Sequence, residues 1–276
     1  VTDPRKTAAV LPSPYYRDMI EVLNLGAGVQ SSTVLLMSIH GELPKIDHAI
    51  FADTGWEPQA VYRWLHDFLM PNAEKAGIPI HVVSRGDIRQ DHLTGMLSGR
   101  RGRAGGVDGV ENKGQRWGSM PFFVKNPDGS QGLIRRQCTR EYKIAVIERH
   151  LKREILGYKP RQRMPKECVV RRWYGISYDE MDRTRTVNAD GNWVANWYPL
   201  VERRITRQAC LLWMDQHGYP EPPRSACVAC PFRSMEEWRR LKRQSPQEFA
   251  DAVAFDRAMR KCGAMNGDVY VHRKMV

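Results

Sequence analysis

Two periods of apolar residues alternate along the first third of the chain. Ile20, Val22, Leu23 and Leu25 form a short apolar run that predicts a strand over 20–25. Val34, Leu35, Leu36 and Ile39 then recur on one face, which predicts a helix over 31–40. Ile46 to Phe51 reads as a second strand, ending in the polar loop Ala52-Asp53-Thr54-Gly55-Trp56-Glu57-Pro58. Val61, Trp64, Leu65, Phe68 and Leu69 place a helix over Ala60 to Lys75, and Ile78 to Val83 reads as a third strand. Strands alternating with helices predict an α/β fold, a parallel twisted sheet with helices on both faces. Such sheets bind ligands outside the carboxyl ends of their strands, so the turn after Leu25 and the Asp53 loop are expected at that edge.

From Arg85 to Gly132 the periodicity breaks down into a long Arg/Gly loop, 85–132, holding Arg100-Arg101-Gly102-Arg103-Ala104-Gly105-Gly106. That composition suits a phosphate-contacting segment or a plain linker. Met120 to Val124 interrupts it as a short strand, and Asn126-Pro127-Asp128-Gly129 as a turn. Ile144, Ile147, Leu151 and Ile155 share one face of an expected helix from Thr139 to Leu156. Val169 to Ser177 is a further strand, and Trp197-Tyr198-Pro199-Leu200 closes the α/β region. Thr206 is a candidate cap for a helix running to His217, and two last helices are expected near 234–243 and 246–261.

Composition narrows the function classes. The net charge is +12 and hydrophobic residues make up 42%, enough for a sizeable core and in favour of polyanionic partners. The pairs Arg135-Arg136, Arg171-Arg172, Arg203-Arg204 and Arg239-Arg240 argue for basic patches rather than an even spread. Trp117, Trp173, Trp193 and Trp197 are candidates for base stacking or for the core. No apolar run approaches the ~20 residues needed to cross a bilayer, and Val1 to Tyr16 lacks a signal-peptide pattern, so a cytoplasmic protein with no membrane partner is expected. In that setting Cys227-x-x-Cys230 reads as metal, cluster or redox chemistry rather than as a disulfide.

The candidate chemistry centres on Gly26-Ala27-Gly28-Val29-Gln30-Ser31-Ser32-Thr33. Strand, tight turn and helix together make an anion site: glycines at 26 and 28 permit unusual angles and close approach. The helix start directs N–H groups and its positive dipole end at the turn, and Ser31, Ser32 and Thr33 add hydroxyls. An ordinary strand-to-helix turn has the same pattern. Asp53, at a strand end, either orders its loop or, with Mg²⁺, neutralises phosphate charge. Cys138 opens a helix among Arg136, Arg140 and Lys143, where a lowered thiol pKa and an anion site are expected. Cys138, Cys210, Cys227 and Cys230 are four candidate thiolates for one [4Fe–4S] cluster or a structural zinc, with a Cys227–Cys230 dithiol as a third possibility. Cys168 and Cys262 read as structural.

Together these residues resemble the adenine nucleotide alpha-hydrolase-like superfamily, in the branch of the phosphoadenosine phosphosulfate (PAPS) reductase family that includes the PP-loop ATP pyrophosphatases. The resemblance runs from about Val22 to Pro231. Where PP-loop enzymes have Ser-Gly-Gly-x-Asp-Ser, this chain has Gly26-Ala27-Gly28-Val29-Gln30-Ser31; Gly28 and Ser31 match, and Gln30 looks like the PAPS reductase variant. Asp53-Thr54-Gly55 with Glu57 is similar to the family's nucleotide-side loop. Cys138-Thr139 with Lys143 is similar to the Cys-Thr-x-x-x-Lys helix start of PAPS reductase-like and DNA phosphorothioation proteins. Gly175, Glu180 and Arg183 match a Gly-x-Arg-x-x-Glu-Ser-x-Arg pattern, while Ser177 and Met181 depart from it.

The resemblance implies an α/β nucleotide-binding domain over 20–204, preceded by a leader over 1–19 and followed by a helical Cys-containing region over 205–276. It implies ATP or PAPS as the nucleotide, with Gly26, Ala27, Gly28, Gln30, Ser31, Ser32, Thr33, Asp53, Thr54, Gly55, Arg136, Lys143, Gly175 and Arg183 binding it. Ser31, Asp53 and Cys138 are the implied catalytic residues. The expected activity is ATP pyrophosphatase and adenylyl transfer in sulfur incorporation into nucleic acid, with DNA favoured and a cysteine desulfurase or other sulfur donor as partner. Two other functions fit the same motifs: a PAPS or APS reductase, and a non-catalytic nucleotide- or DNA-binding subunit. The chain end, Tyr270 to Val276, lacks the Cys-Gly-Leu-His-like tail of the reductases.

Overall fold

In the computed structural model, which describes residues 19–94, 120–186, 191–260 and 268–275, the first apolar run is strand β1 (Ile20–Leu25). It is followed in chain order by β2 (His48–Asp53), β3 (Ile80–Ser84), β4 (Phe123–Lys125), β5 (Gln131–Leu133), β6 (Val170–Tyr174), β7 (Val194–Trp197) and β8 (Asp268–Tyr270). The parallel α/β sheet expected from the alternation is present: five strands in the order β3-β2-β1-β6-β7, with β1 parallel to β2 and β6, and β6 parallel to β7. β4 pairs antiparallel with β5 and β8 in a separate three-stranded sheet. That sheet gives the C-terminal region a strand, where only helices were expected.

The helices are α1 (Val29–Ile39), α2 (Gln59–Arg63), α3 (Met70–Lys75), α4 (Ile88–Thr94), α5 (Ala145–His150), α6 (Pro199–Glu202), α7 (Arg207–Gln216), α8 (Met235–Gln244) and α9 (Pro246–Met259). Thr206 caps α7 as expected, its side chain accepting from the Ala209 N–H at 3.1 Å. The expected Thr139–Leu156 helix opens and closes in π-helical turns, Thr139–Ile144 and Leu151–Ile155. A π turn takes in extra residues and rotates the following face. Tyr142 and Val146 are therefore buried with Ile147 and Leu151, and Ile144 is exposed. Part of the expected 85–132 loop is α4, β4 and β5; its Arg100–Arg103 run and Trp117 lie outside the described residues.

The chain divides into two compact units, each assembled from several stretches of sequence. The first comprises the described residues up to Phe51 with Ala60–Val82 and Leu151–Ser225. Its core joins Leu23, Leu25 and Trp173 of the sheet to Val34, Leu35 and Leu36 of α1 and to Cys210 and Met214 of α7. The second comprises Ala52–Gln59, Val83–His150 and the described residues from Ala226 on. Its core joins Trp56, Phe122, Tyr142, Val228 and Phe255.

Two of the arginines read as basic surface are inside the first unit. Arg171 and Arg172 point from β6 into buried surroundings, at 7% and 1% exposure. Arg171 donates to the Glu21 carboxylate at 2.6 and 2.8 Å, and the Trp173 indole N–H donates to the same carboxylate at 2.5 Å. Trp173 and Trp193 are core residues, so neither is a stacking platform. Breaking a buried ion pair from one side strands the other charge. Glu21→Ala should therefore cost about 3–5 kcal/mol in urea unfolding, whereas the double change Glu21→Leu with Arg171→Met should cost clearly less.

Candidate functional site

The strand order of the first unit reverses at β1, with β2 on one side and β6 on the other. Open α/β sheets bind ligands at such a switch point, outside the strand carboxyl ends. There β1 runs into the turn Gly26-Ala27-Gly28 and then α1, while β6 ends at Tyr174, with Gly175 next in the chain. The left-handed backbone of the turn falls on Ala27, at φ +54°, and on neither adjacent glycine. A Cβ there costs on the order of 1 kcal/mol, a strain that the packing around Ala27 has to hold. The Ser31 hydroxyl closes the turn, accepting from the Gly26 N–H at 3.1 Å and lying 3.4 Å from the Gly28 carbonyl.

Gly175 is fitted onto this turn. A Cβ at 175 would stand 2.6 Å from Ser31 N, 2.7 Å from Ser31 Cα and 3.0 Å from Gln30 C, so the strand end and the helix start share space that only glycine leaves. Gln30 is tied to the segment after Gly175: its amide donates to Glu180 at 3.1 Å and to the Ser177 hydroxyl at 3.4 Å. Glu180 also receives Arg183 at 2.6 Å. The first turn of α1 carries no acidic residue and no side-chain cap. Its N–H groups are thus offered by a helix start whose dipole favours an anion.

The three hydroxyls at the start of α1 do not act together. Only Ser31 faces the turn. Ser32 is fully buried and its hydroxyl accepts from the Trp64 indole at 3.0 Å; Thr33 is fully buried and donates to the Val29 carbonyl at 2.9 Å. Sequence reasoning gave no role to Ser225, whose side chain packs 3.3 Å from where a Gly28 Cβ would stand.

In the second unit a different group forms. The Asp53 carboxylate accepts from the Gly55 N–H at 2.8 Å, the loop-ordering role. Gly55 has φ +73°, and a Cβ there would stand 2.7 Å from Asp87 Cα, so this turn too requires glycine. Beyond it, the buried Glu57 carboxylate accepts from Lys143 at 3.1 Å and from Thr54 at 3.3 Å. Thr54 also contacts Cys227 Sγ at 3.3 Å, and Cys227 Sγ lies 3.9 Å from Glu57. Lys143 and Thr54 therefore serve a carboxylate and a thiol. Arg136 donates to Thr139 at 2.7 Å and lies over the Phe232 ring.

Burial pushes the Cys227 thiol up to about 12, with the Glu57 charge adding to it. The Cys138 thiol is also raised, first by burial and then by Cys230, which outweigh Arg136 and Lys143. A lowered pKa was expected at Cys138; desolvation reverses it. Lys143 is held above its ordinary value: burial disfavours its charge, but the Glu57 carboxylate and Cys227 overcome this.

No protein-family model and no curated protein matches the sequence. Among solved structures the chain is similar to the U34-tRNA thiolase NcsA from Methanococcus maripaludis with its [4Fe-4S] cluster. The identity is 14% and the TM-score 0.40, over 88% of this chain and 73% of that chain.

The sequence candidates thus fall into two sets. Gly26, Ala27, Gly28, Gln30, Ser31, Gly175 and Arg183 belong to the first unit; Asp53, Thr54, Gly55, Arg136, Cys138, Lys143, Cys227 and Cys230 belong to the second. Cys210 belongs to the first, fully buried in α7, its thiol pushed up to about 11 by burial. Among the described residues no group of three or more His, Cys, Asp or Glu side chains is arranged to hold a metal ion. Cys168 is exposed, and Cys262 lies outside the described residues.

Two outcomes check this geometry. Gly175→Ala should cost about 1–3 kcal/mol in denaturant unfolding, because backbone has to move to admit the methyl. In metal-free protein, iodoacetamide labelling of Cys227 should keep rising through pH 10, since a raised thiol pKa leaves little thiolate below it; a plateau below pH 9 would contradict the assigned environment.

Proposed function

We propose that this chain is a PAPS reductase-like, PP-loop-type enzyme that uses ATP to activate a nucleic acid for sulfur incorporation, with DNA as the acceptor. The observation that carries this reading is the uncapped start of α1, set at the sheet's reversal point and fixed there by Gly175 against Ser31. In this reading the first-turn N–H groups of α1 receive phosphate oxygens, Ser31 holds the turn open to them, and Arg183 adds positive charge. Position 30 carries an amide, so the phosphates meet no loop carboxylate there, and any Mg²⁺ arrives with the nucleotide.

The chemistry has two steps. An acceptor oxygen attacks the α-phosphorus of ATP; the bond to the bridging oxygen breaks and pyrophosphate leaves. A sulfur nucleophile then displaces the adenylated oxygen, releasing AMP. The chain's contribution to the first step is positioning and charge neutralisation. For the second, Cys138, Cys227 and Cys230 of the second unit would be the soft donors toward an iron–sulfur cluster, which when bound would supply the sulfur-handling centre. Their part is to present thiols; Glu57 and Lys143 set the charge beside Cys227. The exposed pairs Arg203-Arg204 of the first unit and Arg239-Arg240 of the second would each offer contacts to nucleic-acid phosphates.

One observation favours a second reading. Gln30, neutral and held by Ser177 and Glu180, is the PAPS reductase-like residue at its position, which favours reduction of a sulfonucleotide.

A turnover assay separates the two: pyrophosphate released from ATP supports the first, sulfite released from PAPS the second. Ser31→Ala should reduce that turnover about 100-fold with little change in melting temperature; equal losses of folding and activity would make Ser31 structural. Protein purified anaerobically should contain iron and sulfide and absorb near ~400 nm, and Cys227→Ser should lose both; stoichiometric zinc without iron would refute the cluster.

A further inference from the structure

Arg233 is the residue outside both candidate sets whose contacts have the clearest consequence. It is 7% exposed although charged. Its guanidinium donates to three backbone carbonyls of one loop: Nε to Val228 at 3.0 Å, and Nη2 to Ala226 at 2.9 Å and Cys227 at 3.2 Å. Three successive carbonyls are drawn to one rigid planar fork, which fixes the peptide orientations around Cys227. The same loop is held elsewhere along its length. The Val228 N–H donates to the Trp56 carbonyl at 2.9 Å, the Cys230 N–H to the Cys227 carbonyl at 3.0 Å, and the Arg233 N–H to the Cys230 carbonyl at 3.1 Å.

Arg233 itself stands on fixed ground. The next residue, Ser234, caps α8 in a reciprocal box with Glu237, their bonds measuring 2.7 and 3.3 Å. The guanidinium also lies over the Trp238 ring. The clamp therefore reaches back from a helix start to the Cys-x-x-Cys loop. Small cysteine loops commonly take their shape from the metal they bind and lose it without metal. Here backbone bonds and a buried arginine do that work with protein atoms alone.

We propose that Arg233 is a positioning residue that presets the Cys227–Cys230 loop, so that the two thiols keep their geometry whether or not a metal or cluster is bound. This rests on the reading above only in treating Cys227 and Cys230 as the working thiols. A preset loop lets a cluster be lost and rebuilt without unfolding the second unit, and it leaves the thiols shielded in the metal-free protein.

The test is iodoacetamide labelling of Cys227 and Cys230 in the full chain, read by peptide mass spectrometry before and after metal removal by a chelator. Wild type should label slowly in both states. Arg233→Met should label about tenfold faster or more at Cys227, because the loop opens locally. Arg233→Lys, which keeps the charge and loses the fork, should fall between them, and all three should show one melting transition near that of wild type. If Arg233→Met does not fold, Arg233→Lys decides: faster labelling in a folded protein supports the clamp, and a wild-type rate overturns it. Wild-type labelling that jumps on metal removal also overturns it, since the metal would then be the organiser. Failure to find iron or sulfide would sink the cluster reading alone and leave these rates as the test of Arg233.

Discussion

A strand end lies so close to the backbone of a turn that no Cβ fits between them, and the first unit's candidate site depends on that contact. Gly175, just past the end of β6, and Ser31 at the start of α1 occupy adjoining space. Their approach sets where α1 begins, and therefore where its unpaired N–H groups point. The turn between β1 and α1 stores a small strain at Ala27, and Ser31 bridges it. Gln30, Ser177, Glu180 and Arg183 then join the segment after β6 to the same helix start. Each bond is modest; together they leave the turn one conformation to adopt.

The second unit works by a different constraint, the cost of burying charge. Glu57 is buried and acceptable there because Lys143 and Thr54 meet it. A thiol beside that carboxylate resists ionisation, as does a thiol screened from water. Arg136 and Lys143 draw the Cys138 thiol down but do not reverse this, because the cost of removing a thiolate from water outweighs their charge. The Cys138 and Cys227 thiols are thus mostly protonated near neutral pH.

The sheet was legible because its apolar runs and intervening helical stripes are long and regular; β1, β2 and α1 needed nothing beyond periodicity. The turn at Gly26–Ser31 was legible as a strand-to-helix junction. Which hydroxyls face it was not, because Ser32 and Thr33 turn away only by the geometry of a helix packed against Trp64 and β1. Arg171 looked like part of a basic surface because its partner Glu21 is far away in sequence and adjacent only across the sheet. The face of the helix after Cys138 was misplaced at Ile144 because π turns leave no periodic signature that a regular 3.6-residue reading detects. The antiparallel strand β8 is three residues long, too short to stand out from its surroundings. Arg233 gave no sequence signal, since the bonds it makes to the cysteine loop go to backbone carbonyls.

We propose that the start of α1, held by Gly175, is the seat of nucleotide phosphates. Amide hydrogen exchange on the whole chain, with and without a non-hydrolysable ATP analogue, tests it most directly. Added protection is expected at the amides from Gly26 to Thr33, extending to those just after Gly175. Protection confined to other segments, with the Gly26–Thr33 amides exchanging as before, would contradict it.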